Sequence, residues 1–317
     1  MNRRNLLLAA ATVGAGLPAL AQEKATAIVV PYAPGGSLDT AARLLAEQLR
    51  KGVGRNFIVD NKPGANGLIG TKAVQAAAPD GSMLLFNGPN IVTLPINQKA
   101  ANYDAFKDFT PIACFGKVEY FLVVHESVPG HSVADVIKFA RSRPEGIFAG
   151  NAGSGSIGHM LAAAFAKHAG INVTHVPYKG ASDVMRALAG GEVQMQLTTT
   201  TAALEKLAKS GRLRYVAVAS EKRSIFAPEV PALRETLPGM LALDSWGALF
   251  GPAGMAEDVV RPLSDAARNA MASPDVVARL ASQFISPLYL DGHELKIAMA
   301  NAVTAQQRLK QESGVSG

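Results

Sequence analysis

The segment Ala27-Ile28-Val29-Val30-Pro31-Tyr32-Ala33-Pro34-Gly35-Gly36-Ser37-Leu38-Asp39 passes from a β-branched run into a turn of proline, glycine and serine. From Thr40 to Arg50, Leu44, Leu45 and Leu49 then fall with alanines on one helical face. Strand, turn and helix follow in order, the unit of an α/β protein with largely parallel sheets. The unit recurs. Phe57–Val59 precedes Asn61-Lys62-Pro63-Gly64-Ala65-Asn66-Gly67 and a helix, and Met83–Phe86 precedes Asn87-Gly88-Pro89-Asn90. Ile147–Ala149 restarts the order with Gly150-Asn151-Ala152-Gly153-Ser154-Gly155-Ser156 and an alanine-rich helix to His168. Val173–Val176 leads to Pro177-Tyr178-Lys179-Gly180-Ala181-Ser182, and Val193–Leu197 leads to Thr198-Thr199-Thr200-Thr201, each followed by a helix. Each half therefore carries three such units. Ligands of open α/β sheets bind outside the carboxyl ends of the strands, so two facing sheets enclose a cleft lined by these turns.

Between the halves, Phe109–Val124 reads as a strand-like hinge, without the composition of a Gly/Ser linker. A last strand, Ser245–Phe250, runs through Gly251-Pro252-Ala253-Gly254 into C-terminal helices expected to pack on the first half. The first domain is then discontinuous, 22–121 with 243–317, and the second, 122–242, is inserted into it. Trp246, the one tryptophan, reads as core or hinge.

Composition narrows the function. The 48% hydrophobic content suffices for packed cores, and the net charge of +6 is dispersed, with no Lys/Arg run longer than two. A clustered basic footprint for nucleic acid or a membrane surface is missing. The single Cys114, between Ala113 and Phe115, reads as an inert core thiol. Residues 1–21 carry Arg3-Arg4, an apolar stretch from Leu6 and Ala19-Leu20-Ala21, the layout of a cleavable signal for export to the periplasm. The twin arginines suit either export route.

The turns favour a modest anion. Unpaired N–H groups at helix N-termini attract negative charge, and glycine lets a ligand approach the backbone. Their side-chain donors are short, Ser37, Asn90, Asn151, Ser154, Ser156, Thr198 and Thr199, and their basic residues are Lys62 and Lys179 alone. Amides and hydroxyls without an arginine fork suit a carboxylate better than a polyphosphate. Asp39 either caps or charges the first helical turn, or orients the Gly35-Gly36 loop or a bound water. His159 reads as a local hydrogen-bonding residue, with contact to ligand or support of the loop as the alternative, and Tyr32 as a cleft wall or packing.

Catalytic motifs are incomplete. Gly153-Ser154-Gly155-Ser156-Ile157-Gly158 matches G-x-G-x-x-G, but the position about 20 residues on holds Pro177-Tyr178-Lys179 where the dinucleotide fingerprint has an acid. The pentapeptide around Ser156 lacks the first glycine of a nucleophile elbow. His125-Glu126 and His293-Glu294 lack the second histidine of a zinc helix. The expectation is a protein that is not an enzyme and needs no cofactor; the alternative is a secreted nucleotide-binding protein or enzyme using Gly153–Gly158.

In combination, Val29–Asp39, Asp60–Gly67, Ala78-Pro79-Asp80-Gly81, Gly150–Ser156 with His159, His175–Gly180, Pro228-Glu229-Val230-Pro231 and Gly251–Gly254 closely resemble the Bug family. These are extracytoplasmic solute receptors associated with tripartite tricarboxylate transporters. The resemblance implies a type II periplasmic-binding-protein fold, two α/β lobes with a ligand cleft, closing on a small carboxylate. It places ligand contacts at Tyr32, Pro34, Gly35, Gly36, Ser37, Asp39, Gly88 and Asn90 of the first lobe. In the second lobe they are Asn151, Gly153, Ser154, Gly155, Ser156, His159, Tyr178, Lys179 and Thr198. It also implies a monomer that hands its ligand to a membrane permease of the tripartite tricarboxylate type or to a sensor. Relatives commonly carry an Asp-Asn or similar pair where this chain has Thr198-Thr199. With no acid there, a mono- or dicarboxylate without an obligatory amino group is expected.

Overall fold

The computed structural model describes residues 25–315, so the expected signal segment lies outside the described residues. In chain order the first lobe opens with β1 (Thr26–Val30), α1 (Ser37–Val53), β2 (Phe57–Asn61), α2 (Leu68–Gln75), β3 (Met83–Asn87) and α3 (Asn90–Asn97). A long strand, β4 (Phe109–His125), crosses to the second lobe. There follow α4 (Val133–Arg141), β5 (Ile147–Asn151), α5 (Ile157–Ala169), β6 (Val173–Pro177), α6 (Ala181–Ala189), β7 (Met195–Thr199), α7 (Ala202–Lys209), β8 (Leu213–Val218) and α8 (Leu233–Thr236). The chain returns through β9 (Asp244–Pro252), α9 (Glu257–Met271), α10 (Pro274–Ala281), β10 (Ser286–Asp291) and α11 (Gly292–Ser313).

The strands form two mixed sheets that share β4. In the first, β2 and β3 flank β1 in parallel, β9 joins β3 antiparallel, and β4 lies between β9 and β10. In the second, β6 and β7 flank β5 in parallel, and the far half of β4 pairs with β7 and β8. The partner of β4 changes from Asp244, opposite Glu119, to Thr199, opposite Tyr120. In each sheet the parallel order places the first strand in the middle, so the chain reverses direction across the sheet beside β1 and beside β5. Crevices open at such reversals, beyond the carboxyl ends of the strands.

Buried side chains explain why these segments hold. Leu44, Leu45 and Leu49 of α1 are buried with Leu263, Ala266 and Ala267 of α9 against Ile28, Val30, Leu84 and Phe86. In the second lobe Met160, Leu161 and Phe165 of α5 pack with Leu122, Ile147, Met195 and Leu197. The glycine at 54 takes φ 80° and stops α1, and Gly170 at φ 60° stops α5, both as left-handed caps. Trp246 is a core residue on β9, tilted against Phe250 at 6.2 Å. Cys114 is fully buried, and burial pushes its thiol up to about 12.

Three features depart from the sequence pattern. β8 and β10 were not signalled, since neither belongs to the repeated strand–turn–helix units and each joins β4 antiparallel from a distant part of the chain. The strand expected at Val193–Leu197 runs two residues later, which brings Thr198 and Thr199 into β7 through pairing with Phe121 and Tyr120. α11 does not stay on one lobe. Its Leu295 and Met299 are buried beside β4 and β9 residues, whereas Leu309 joins the core of the second lobe.

Close packing of α5 onto β7 gives a direct check. A Cβ at Gly158 would stand 2.4 Å from the Leu197 carbonyl oxygen, a backbone atom that cannot rotate away. Gly158→Ala is expected to cost about 1–3 kcal/mol, read as a lower urea midpoint; an unchanged midpoint would contradict this packing.

Candidate functional site

Between the lobes lies a cavity of about 610 Å³. Its first-lobe wall is the turn after β1, the Pro63–Gly67 segment and the turn after β3; the second-lobe wall comes from the turns after β5, β6 and β7. A depression of similar volume, lined by Pro177, Lys179, Arg186 and Glu192, involves the second lobe alone.

Asp39 organises the first wall. It is buried and accepts from the Gly35 N–H at 2.9 Å, Arg43 Nε at 3.0 Å and Asn61 Nδ2 at 2.9 Å. Burial raises its pKa, but the bonds from Arg43, Gly35 and Asn61 outweigh that and hold the carboxyl below its usual range. Of its two readings, the geometry favours the loop-orienting one. Gly35 takes φ 88°, which needs glycine, and a Cβ on Gly35 or Gly36 would meet nothing within 4 Å. The turn therefore presents bare backbone to the cavity. Gly36 caps α1 without a side-chain bond, so no side chain competes for the N–H groups of its first turn.

The remaining contacts of this wall form one net. Tyr32 Oη donates to Asn87 Oδ1 at 3.1 Å, and the same oxygen accepts the Gly88 N–H at 2.8 Å. Asn90 Nδ2 donates to the Asn66 carbonyl at 2.7 Å, tying the start of α3 to the turn before α2. Tyr32 is partly buried, and desolvation raises its pKa well above the ordinary value.

On the opposite wall Ser156 caps α5, its Oγ accepting the His159 N–H at 3.3 Å. His159 Nδ1 accepts the Gly155 N–H at 3.0 Å, so the ring braces the Gly153–Ser156 turn from behind. Its edge packs on His175, with centroids 4.6 Å apart. Gly180 caps α6 without a side-chain bond, leaving the first turn of that helix facing the cavity. Ser37 Oγ and Thr199 Oγ1 meet across the cleft at 3.1 Å.

Of the residues expected at the site, Tyr32, Gly35, Gly36, Ser37, Asp39, Gly88, Asn90, Gly153, Ser156, Tyr178, Lys179 and Thr198 line this cavity. Pro34, Asn151, Ser154, Gly155 and His159 stand around it without lining it. Asn151 is buried at the end of β5, where its carbonyl accepts the Tyr178 N–H at 2.9 Å, and Ser154 is exposed. Thr199, named among the turn donors, also lines the cavity, and the sequence reading missed Tyr120, Met185, Gln196, Leu204 and Ser245. Along β7 Met195, Gln196 and Leu197 are buried, and the strand's end, Gln196 to Thr199, borders the cavity. Tyr120 and Ser245 lie on the crossing strands, where no glycine turn marks them. Among the described residues Lys179 is the one lysine or arginine on the lining, and Lys62 pairs with Asp60 at 2.8 Å outside it.

Residues 41–315 match the family model described as tripartite tricarboxylate transporter family receptor, TctC. The chain is 31% identical to the protein BugT of Bordetella pertussis over 291 residues, 90% of this chain and 88% of that one. The structure of Rpa4515 from R. palustris with adipate superposes with a TM-score of 0.86 at 29% identity, covering 92% of this chain and 98% of the other. MatC from Rhodopseudomonas palustris with bound malate gives a TM-score of 0.79 at 25% identity, covering 91% and 98%.

The histidine pair makes stability depend on pH. Burial, then the neighbouring His159, lowers His175 to about 4, and burial lowers His159 below its ordinary value. An unfolded histidine titrates near 6.5, so below that pH the unfolded chain binds more protons and stability falls as pH drops toward 4. Glu47 and Glu235, both held near 2, titrate below this window. Melting temperature is expected to decline between pH 7 and 4.5, less steeply in His175→Gln; equal slopes in the two proteins would refute this source.

Proposed function

The chain belongs to the tripartite tricarboxylate transporter receptor family, whose members are periplasmic solute-binding proteins and not enzymes, and from that premise we infer that it captures a small carboxylate between its lobes. The observation that carries the reading is the composition of the cavity wall: bare glycine backbone and helix starts without side-chain caps on both lobes, α1, α2 and α3 on the first and α6 on the second, with hydroxyls and one lysine. A carboxyl group is met there by hydrogen bonds from the Gly35–Ser37 and Gly88–Asn90 turns. The second lobe closes over the rest of the molecule with Ser156, Tyr178, Lys179 and Thr198. Adipate and malate in the two related structures support a dicarboxylate, and Thr198-Thr199 offers an ammonium group no carboxylate partner.

Closure follows if the ligand touches both lobes, since it then binds the closed form better than the open one. The hinge is assigned between 22–121 with 243–317 and 122–242, supported by the change of β4 partners at Glu119 and Tyr120. The signal at 1–21 exports the chain, which works as a monomer and delivers its ligand to a tripartite tricarboxylate-type permease or a sensor. The nucleotide alternative has no structural support at the end of β6, which stops at Pro177 with no acid for a ribose.

A thermal-shift and calorimetric panel of mono- and dicarboxylates, amino acids and nucleotides tests the assignment. A bound carboxylate at 100 times its Kd is expected to add about 2.7 kcal/mol of stability. Ser37→Ala is expected to weaken it by about two- to tenfold through one lost hydrogen bond. A response to nucleotides alone, or to an amino acid but not its deaminated analogue, would contradict the assignment.

A further inference from the structure

Behind the cavity, three helices meet at a buried set of polar side chains that the carboxylate reading leaves unused. Asn97, the last residue of α3, and Gln306 of α11 are 9% and 2% exposed, and neither lines the cavity. Asn97 Nδ2 donates to the Gly155 carbonyl at 3.4 Å, from the first lobe to the second. Gln306 Nε2 donates to Asn97 Oδ1 at 3.2 Å and to Met160 Sδ at 3.1 Å. Both amide hydrogens of Gln306 are thus directed at partners, one on each lobe. Gly155 is held through both its backbone groups, its N–H by His159 of its own lobe and its carbonyl by Asn97 of the other.

We propose that Asn97 and Gln306 are positioning residues, a buried amide relay completed when the lobes meet, which holds the Gly153–Ser156 turn in its ligand-facing position. The proposal rests on the reading that the lobes close on a ligand. Two helices carry the coupling. α3 begins at Asn90 in the cavity wall and ends at Asn97, while α5 begins after Ser156 in the opposite wall and reaches Met160 one turn later. Closing the lobes therefore brings the cavity walls and the relay together. Opening separates Asn97 from Gly155, and a buried amide that loses its partner must regain water to avoid a desolvation penalty. The Ser37–Thr199 contact differs, because it lies on the cavity lining, where a ligand competes for both hydroxyls.

The test measures interlobe distance in the ligand-free protein. Cysteines introduced at the exposed Ile69 and Lys206, one per lobe, carry spin labels, and native Cys114 is fully buried. Asn97→Ala and Gln306→Met are each expected to reduce the closed population about two- to tenfold, the worth of one such hydrogen bond. The double variant should go little beyond the larger single effect, because the two residues share one relay. Gln306→Met keeps the volume beside Met160, so it provides the answer if Asn97→Ala fails to fold. Distances equal to wild type in the folded variants would overturn the relay, since a purely structural role lowers the melting temperature without moving the lobes. A separate arm adds a six-carbon dicarboxylate to the wild type. Unchanged distances and melting temperature there would count against the carboxylate reading, while the ligand-free comparison still decides the relay.

Discussion

The structure depends on one continuous strand serving two sheets. β4 exchanges hydrogen bonds with β9 and β10 along its first part and with β7 and β8 along its last, so the sheets cannot be arranged independently. The carboxyl ends of the parallel strands in both lobes consequently supply turns to one cavity. Rotation about the strand junction changes the gap between the lobes while preserving the ladder within each. A two-lobed receptor needs that combination: rigid walls and an adjustable separation.

Electrostatics then decides what the cavity accepts. Asp39, the one acidic side chain among the described residues on its lining, is already engaged by Arg43, Asn61 and the Gly35 N–H, so its charge serves the loop. Backbone N–H groups face the cavity where a caps-by-side-chain arrangement would have used them. Away from the cleft, α4 and α11 close their N-termini with capping boxes, Ser132 with Asp135 and Asp291 with Glu294, whereas α9 and α10 have no side-chain cap. Helices without side-chain caps start at the cleft on opposite walls, α1, α2 and α3 on the first lobe and α6 on the second. An anion spanning the cleft can draw on both ends, which gives closure a favourable term that an empty cavity lacks.

Much of this was legible in the chain. Strand–turn–helix units repeat in both halves because glycine and proline punctuate them, and those turns form most of the cavity wall. What escaped had no local signature. β8 and β10 join β4 from distant parts of the sequence, and Thr198 and Thr199 belong to β7 only because Phe121 and Tyr120 pair with them. Tyr120 and Ser245 reach the cavity from crossing strands whose apolar alternation resembles any core strand. Asn97 and Gln306 lie 209 residues apart and are polar residues in otherwise ordinary helices, so their meeting is set by the path of α11 across both lobes. Local chemistry encoded the walls, and tertiary packing encoded what joins them.

The central claim is that a carboxyl group binds the bare turns of the first lobe while the second lobe covers the remainder. A crystal structure of the mature protein with the carboxylate selected by calorimetry tests it directly. The account expects one carboxyl group between the Gly35–Ser37 and Gly88–Asn90 turns, with the rest of the ligand against Ser156, Tyr178 and Thr198. A ligand seated instead in the depression beside Arg186 and Glu192, touching the second lobe alone, would contradict it.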